Sequence, residues 1–237
     1  NLNVEVNIMG EFFKDEVKAY EAKGFKKVSE DYNGAVLMKT FKENGVETEV
    51  TLNCRNSSSG VLNKMSDPNT HMVVYSGHAN WGRLIRDELK RSPEQNGDKL
   101  NMILQCCGRG IMDNFAEKYP NGQLITTKFS SYADEDQNTF MKTIEGIAKR
   151  QPWQTISKSI NEDQWNNSRR NYTFPSDPLF RKRQLDRDKD GMADAYDKVV
   201  NFNTFNVPAD AQNSFTPRPS TVDPTRLEGG KIHNAVG

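Results

Sequence analysis

A histidine and a cysteine each stand just past a short apolar run, in Met72-Val73-Val74-Tyr75-Ser76-Gly77-His78 and in Asn101-Met102-Ile103-Leu104-Gln105-Cys106-Cys107. A thiol attacks carbonyl carbon as the thiolate, and at neutral pH an ordinary cysteine is only a few per cent ionised, so a useful nucleophile needs a base beside it. His78 could be that base for Cys107. The plainer alternative makes Cys106 and Cys107 small hydrophobes closing a core strand and His78 a satisfied turn residue. The matched positions after matched runs, with the small Gly108 and Gly110 behind, favour the pair.

Such a pair works only if the two runs are neighbours. Brief apolar runs bounded by turn residues suit strands buried on both faces, as in a parallel sheet covered by helices. As parallel neighbours they would bring His78 and Cys107 to the C-terminal edge, where open α/β sheets place ligands. Trp81, Leu84, Ile85 and Leu89, at helical spacing between the runs, supply the crossover. Upstream, Val4 to Met9 reads as a strand. Phe13, Val17 and Tyr20 line one face of a helix that stops at Gly24. Ala35 to Phe41 is expected as a second short helix ending at Asn44-Gly45, Glu49 to Leu52 as a strand, and Asn53 to Gly60 as a polar loop carrying a structural Cys54. Downstream come a short helix through Phe115, a strand at Gln123 to Thr127, and Phe140, Ile144 and Ile147 at helical spacing.

The His78 and Cys107 block resembles caspases and the wider caspase-like cysteine peptidases, including metacaspases, legumains, gingipains and clostripain-like enzymes. Gln105-Cys106-Cys107-Gly108 is similar to their Gln-Ala-Cys turn, although Cys106 replaces Ala, Arg109 stands where the caspase form has Gly, and Ala79 replaces the Gly after the histidine. The histidine also precedes the cysteine by fewer residues than the caspases' roughly 50. The resemblance implies an α/β three-layer sandwich with a mostly parallel central sheet over residues 1–150, followed by a largely irregular C-terminal extension over 151–237. It implies a cysteine endopeptidase with a Cys107–His78 dyad, an oxyanion held by the backbone amides of Cys107 and Ala79, and a substrate pocket lined by Gln105, Ser130, Ser131 and Tyr132. A plain strand-to-helix turn explains the last three residues equally well. No third catalytic residue is identifiable. An inert scaffold or calcium-dependent binding module stays open as the non-enzyme alternative, as does a non-peptidase enzyme using the same thiol.

A second constellation lies in the extension. Asp186, Asp188, Asp190, Asp194 and Asp197 occupy the first, third, fifth, ninth and twelfth places of a loop with Gly191 at the sixth and Met192 at the seventh. Calcium takes six to eight oxygens, and a glycine there permits the turn that aims alternate side chains inward. The pattern resembles EF-hand and dockerin loops, so Ca2+ is the expected ion, held structurally; an acidic solvated turn is the alternative. Residues 151–185 are polar, with Trp153, Trp165 and the basic Arg181-Lys182-Arg183, which is a solvated face or a cleavage site.

Composition excludes several classes. In 237 residues, 32 basic side chains balance 32 acidic ones, so no net field attracts nucleic acid or an anionic membrane. No apolar run is long enough to span a bilayer, and the usual phosphate-loop, dinucleotide-binding and zinc-peptidase motifs are missing. Three cysteines, two of them adjacent in sequence, cannot all pair and do not supply a disulfide framework. A peptide or protein is the expected partner. The chain reads as a processed product, with an extracytoplasmic location favoured by the calcium loop.

Overall fold

Among the described residues, the apolar runs assemble into one mixed, mostly parallel sheet of eight strands. The computed structural model describes residues 1–80, 83–120, 122–162 and 171–174. In chain order the elements are β1 (Leu2–Ile8), α1 (Gly10–Ala22), β2 (Lys26–Glu30), β3 (Gly34–Glu43), β4 (Val46–Asn56), β5 (Met72–Ser76), α2 (Arg83–Arg91), β6 (Leu100–Leu104), α3 (Met112–Lys118), β7 (Gln123–Thr127), α4 (Ala133–Ala148), α5 (Trp153–Glu162) and β8 (Tyr172–Thr173). The strand order is β2-β3-β4-β1-β5-β6-β7-β8. Strands β4, β1, β5, β6 and β7 run parallel, while β2, β3 and β8 join antiparallel at the margins.

The pleat sends alternate side chains to opposite faces, and each face has its own core. Val4, Val6, Met72, Val74, Met102 and Leu104 pack with α1, α4 and α5 through residues such as Val17, Phe140 and Ile156. Val73, Tyr75, Ile103 and Leu124 pack on the other face with α2 and α3 through Ile85, Leu89 and Phe115. The described part is therefore helix, sheet, helix. All five residues of β5, β6 and β7 are buried, as continuously apolar strands covered on both faces should be. None of the described helices is long and apolar enough to cross a membrane.

Two expectations are corrected. Residues 35–41 form strand β3, not a helix: Ala35, Leu37 and Phe41 are buried on the period of two, and Asn44 (φ 50°) and Gly45 (φ 76°) make the tight turn into β4. Two consecutive positive φ values match the twist of a two-residue hairpin, which Asn-Gly favours. The supposed polar loop from Asn53 begins only after Asn56, because β4 extends to pair with β1 along its whole length. Cys54 sits on that strand, buried, and burial pushes its thiol pKa up, which suits an inert core residue. The core also runs on past residue 150, since Trp153, Ile156 and Ile160 of α5 and Tyr172 of β8 belong to the same cluster as α1 and α4.

Candidate active site

The sheet makes neighbours of the two strands that lead to the histidine and the cysteine. Ser76 is paired with Leu104 across β5 and β6, and the Gly77 N–H donates to the Leu104 carbonyl at 3.2 Å. His78 and Cys106 therefore lie two residues beyond paired positions, and Cys107 one further. A side chain at Gly77 would bring its Cβ to 2.7 Å from the Tyr75 hydroxyl and 2.8 Å from Met9 Cβ, so glycine is what lets the chain leave β5 against the end of β1. The helix after β1 packs on one face and the helix after β5 on the other. In open α/β sheets, ligands bind where neighbouring connections diverge in this way, outside the C-terminal ends of the strands.

His78 is exposed and held from two sides. The Tyr75 hydroxyl donates to its carbonyl at 2.9 Å. Its Nε2 lies 2.6 Å from Glu11 Oε1, in the first turn of α1, and its ring meets Phe12 edge-on with centroids 5.2 Å apart. No hydrogen bond joins His78 to either cysteine among the described residues.

Cys107 is exposed and adopts a left-handed conformation, φ 55° and ψ 35°. A residue with a Cβ is disfavoured there by roughly 1–2 kcal/mol, and two bonds hold it: its N–H donates to the Phe129 carbonyl at 2.8 Å, and its carbonyl accepts from Gly110 N–H at 3.1 Å. Gly108 follows in close contact with β7. Its N–H donates to Thr127 Oγ1 at 3.0 Å, Thr127 Oγ1 in turn donates to the Gln105 carbonyl, and a Cβ on residue 108 would fall on Thr126 Oγ1. Cys106 is half-buried and turned differently, with Sγ 3.8 Å from the Ser131 carbonyl.

The loop after β7 is fastened to this turn and to β8. Asn171 accepts the Phe129 N–H on Oδ1 at 2.9 Å and donates from Nδ2 to the Ser130 carbonyl at 3.0 Å. Arg109 lies over the Phe129 ring, 5.6 Å from its centroid. Beneath the loop, Asp136 accepts from Ser131 Oγ at 2.8 Å and from the Tyr172 hydroxyl at 2.6 Å. Burial pushes its pKa up to about 7 although both hydrogen bonds pull it down, with the charges of Glu16 and Glu135 adding to the rise. Glu16, also buried, accepts from Ser76 Oγ and from the Tyr20 hydroxyl, the latter at 2.6 Å, and burial raises its pKa too.

The residues expected at the site thus divide. His78, Ala79, Cys107, Ser130, Ser131 and Tyr132 lie on the loops that follow β5, β6 and β7, with Tyr132 and Ser130 exposed. Gln105 is not presented at the surface: it is 1 % exposed, and both polar atoms of its side chain lack hydrogen-bond partners among the described residues. The Cys107 amide, expected to hold an oxyanion, is engaged with Phe129. Asp186, Asp188, Asp190, Met192, Asp194 and Asp197 lie outside the described residues, and among the described residues no cluster of three or more His, Cys, Asp or Glu could hold a metal. Sequence reasoning missed Glu11 and Asn171; Glu11 carried a signal, an acid shortly after the first strand, and Asn171 carried none. Asp134, Glu135 and Asp136 read in sequence as acids that could line the pocket with negative charge, whereas Asp136 is buried beneath the loop. Scanned against protein-family models the chain matches none, and no curated protein matches it in sequence.

Proposed function

We propose that the chain is a caspase-like cysteine endopeptidase. The observation that carries this reading is an exposed cysteine held in a left-handed turn at the end of a parallel strand whose neighbour ends in a histidine. Strained backbone of this kind clusters at functional sites. In the reaction, Cys107 gives its proton to His78 and its sulfur bonds to the scissile carbonyl carbon. His78 then protonates the leaving amine as the C–N bond breaks, which leaves a thioester. Water, losing a proton to His78, attacks that thioester, and the C–S bond breaks to release the carboxylic acid and restore the thiol. The Ala79 amide stabilises the oxyanion, and the Cys107 amide joins it only on leaving the Phe129 carbonyl. Ser130, Ser131 and Tyr132 border the peptide. Incubation with a mixed fluorogenic peptide library should give turnover that stops when iodoacetamide labels Cys107. Absence of turnover across the library, with Cys107 labelled no faster than a free thiol, would reject the enzyme.

One observation favours an inert caspase-like scaffold as the second reading: the Cys107 N–H is already spent on Phe129. The same experiment separates the two.

The loop from Asp186 to Asp197 is proposed to bind Ca2+, with the five aspartates and the Met192 carbonyl as ligands. A ligand that binds only the folded chain raises stability by about 2.7 kcal/mol at a hundredfold excess over Kd, so millimolar calcium should raise the melting temperature. Asp186→Ala or Asp190→Ala should remove that rise and Lys189→Ala should leave it. A melt unmoved by calcium, with no metal in elemental analysis, would refute the site.

A further inference from the structure

We infer that Glu11 is a positioning residue for the Cys107–His78 pair, the group that orients His78. The inference rests on the peptidase reading. A Cys–His pair needs its imidazole in one orientation and one tautomer, and across the families that use such pairs a third group supplies both. Here Glu11 Oε1 lies 2.6 Å from His78 Nε2, within ion-pair reach; a carboxylate can only accept, so the proton of a neutral ring belongs on Nε2. Nδ1 is then the ring's acceptor, the atom free to take the thiol proton. When His78 becomes an imidazolium, the Glu11 carboxylate stabilises the added charge.

Both groups are placed by elements that do not depend on the contact itself. Glu11 lies in the first turn of a 13-residue helix, where the positive end of the helix dipole favours a carboxylate. The start of that helix is tied to the histidine's strand by the Met9 N–H, which donates to the Ser76 carbonyl at 3.0 Å. Phe12, one residue along, presents its ring to the imidazole at a T-shaped 69° and limits the ring's rotation. The carboxylate and the aromatic together define the histidine's orientation, and both come from α1, the helix that follows β5's neighbour β1.

Glu11 is exposed, its side chain retaining 57 % of its accessible surface, so its replacement should leave folding intact. For Glu11→Ala, kcat should fall about 10- to 100-fold, part of the roughly 10²- to 10⁴-fold that positioned acid–base catalysis supplies, with KM and melting temperature unchanged. Glu11→Gln keeps an oxygen that can accept from Nε2 and should recover part of the loss. The rate of Cys107 alkylation by iodoacetamide, measured on the same variants and on His78→Ala, separates the two ways of failing. If His78→Ala slows turnover and alkylation but Glu11→Ala stays within twofold of the parent, Glu11 has no orienting role and the dyad stands alone. If alkylation is slow in the parent and unmoved by His78→Ala, the Cys–His reading fails and takes this inference with it.

Discussion

Replacing Cys107 by alanine should abolish peptide cleavage, by about 10⁴-fold or more as expected when a covalent nucleophile is removed, while Cys106→Ala should keep most of the activity. The two thiols are adjacent in sequence but not in environment. Cys107 is exposed on a left-handed residue fixed by Phe129 and Gly110. Cys106 is half-buried with its sulfur against the Ser131 carbonyl, where an approaching substrate would meet the loop first. His78→Ala should cost about 10²- to 10⁴-fold, the share of a general acid and base. The measurement is steady-state cleavage of the best library peptide by each variant, with circular dichroism to establish that all are folded. Full activity in Cys107→Ala would overturn the assignment. Loss in Cys106→Ala alone would move the nucleophile by one residue and leave the left-handed turn without a chemical role.

Asp136→Asn should stabilise the protein at neutral and alkaline pH by about 2–4 kcal/mol and flatten the pH dependence of unfolding. Asp136 is 4 % exposed, and burial lifts its pKa to about 7 from roughly 3.9 in an unfolded chain. Between those values the folded state holds a proton that the unfolded state has lost, so the unfolding free energy falls as pH rises through the window and levels off above it. Each unit is worth about 1.4 kcal/mol, which sets a ceiling of roughly 4 kcal/mol for this group. Asparagine removes the charge and keeps the shape. Its carbonyl can accept from the Tyr172 hydroxyl and its amide can donate to Ser131 Oγ, preserving both bonds that Asp136 makes. Urea unfolding between pH 5 and 8 would show the change. An unaltered slope in the variant would assign the dependence elsewhere, first to Glu16, the other buried carboxyl in this network.

Local pattern was enough for much of the frame. The strand ending at Ser76, the strand ending at Leu104 and the strand from Gln123 to Thr127 are short apolar runs with turn residues on both sides, and α1 and α4 carry apolar residues at helical spacing. Each choice there depends on neighbours a few residues away, so the chain states it directly. That the strands leading to His78 and to the cysteine turn run side by side to the same edge was legible for the same reason, because buried parallel neighbours end on the same side. The region from Ala35 to Phe41 reads in sequence as a helix although Asn44-Gly45 announces a hairpin, because a short stretch with four apolar residues in a row does not by itself choose between helix and strand. Its partner β4 decides it, by pairing ten positions along the strand.

What only the tertiary structure decided is the surroundings that give the site its chemistry. Glu11 reaches His78 because β1 and β5 are neighbours in the sheet although 67 residues separate the two in the chain. Asn171 and Tyr172 grip the loop after β7 because β8 returns to the sheet margin. Which thiol is exposed follows from a single left-handed residue held by Phe129. Charge, burial and tautomer are properties of groups brought together through space, and a linear order of residues carries periodicity and spacing but not the contacts that set them.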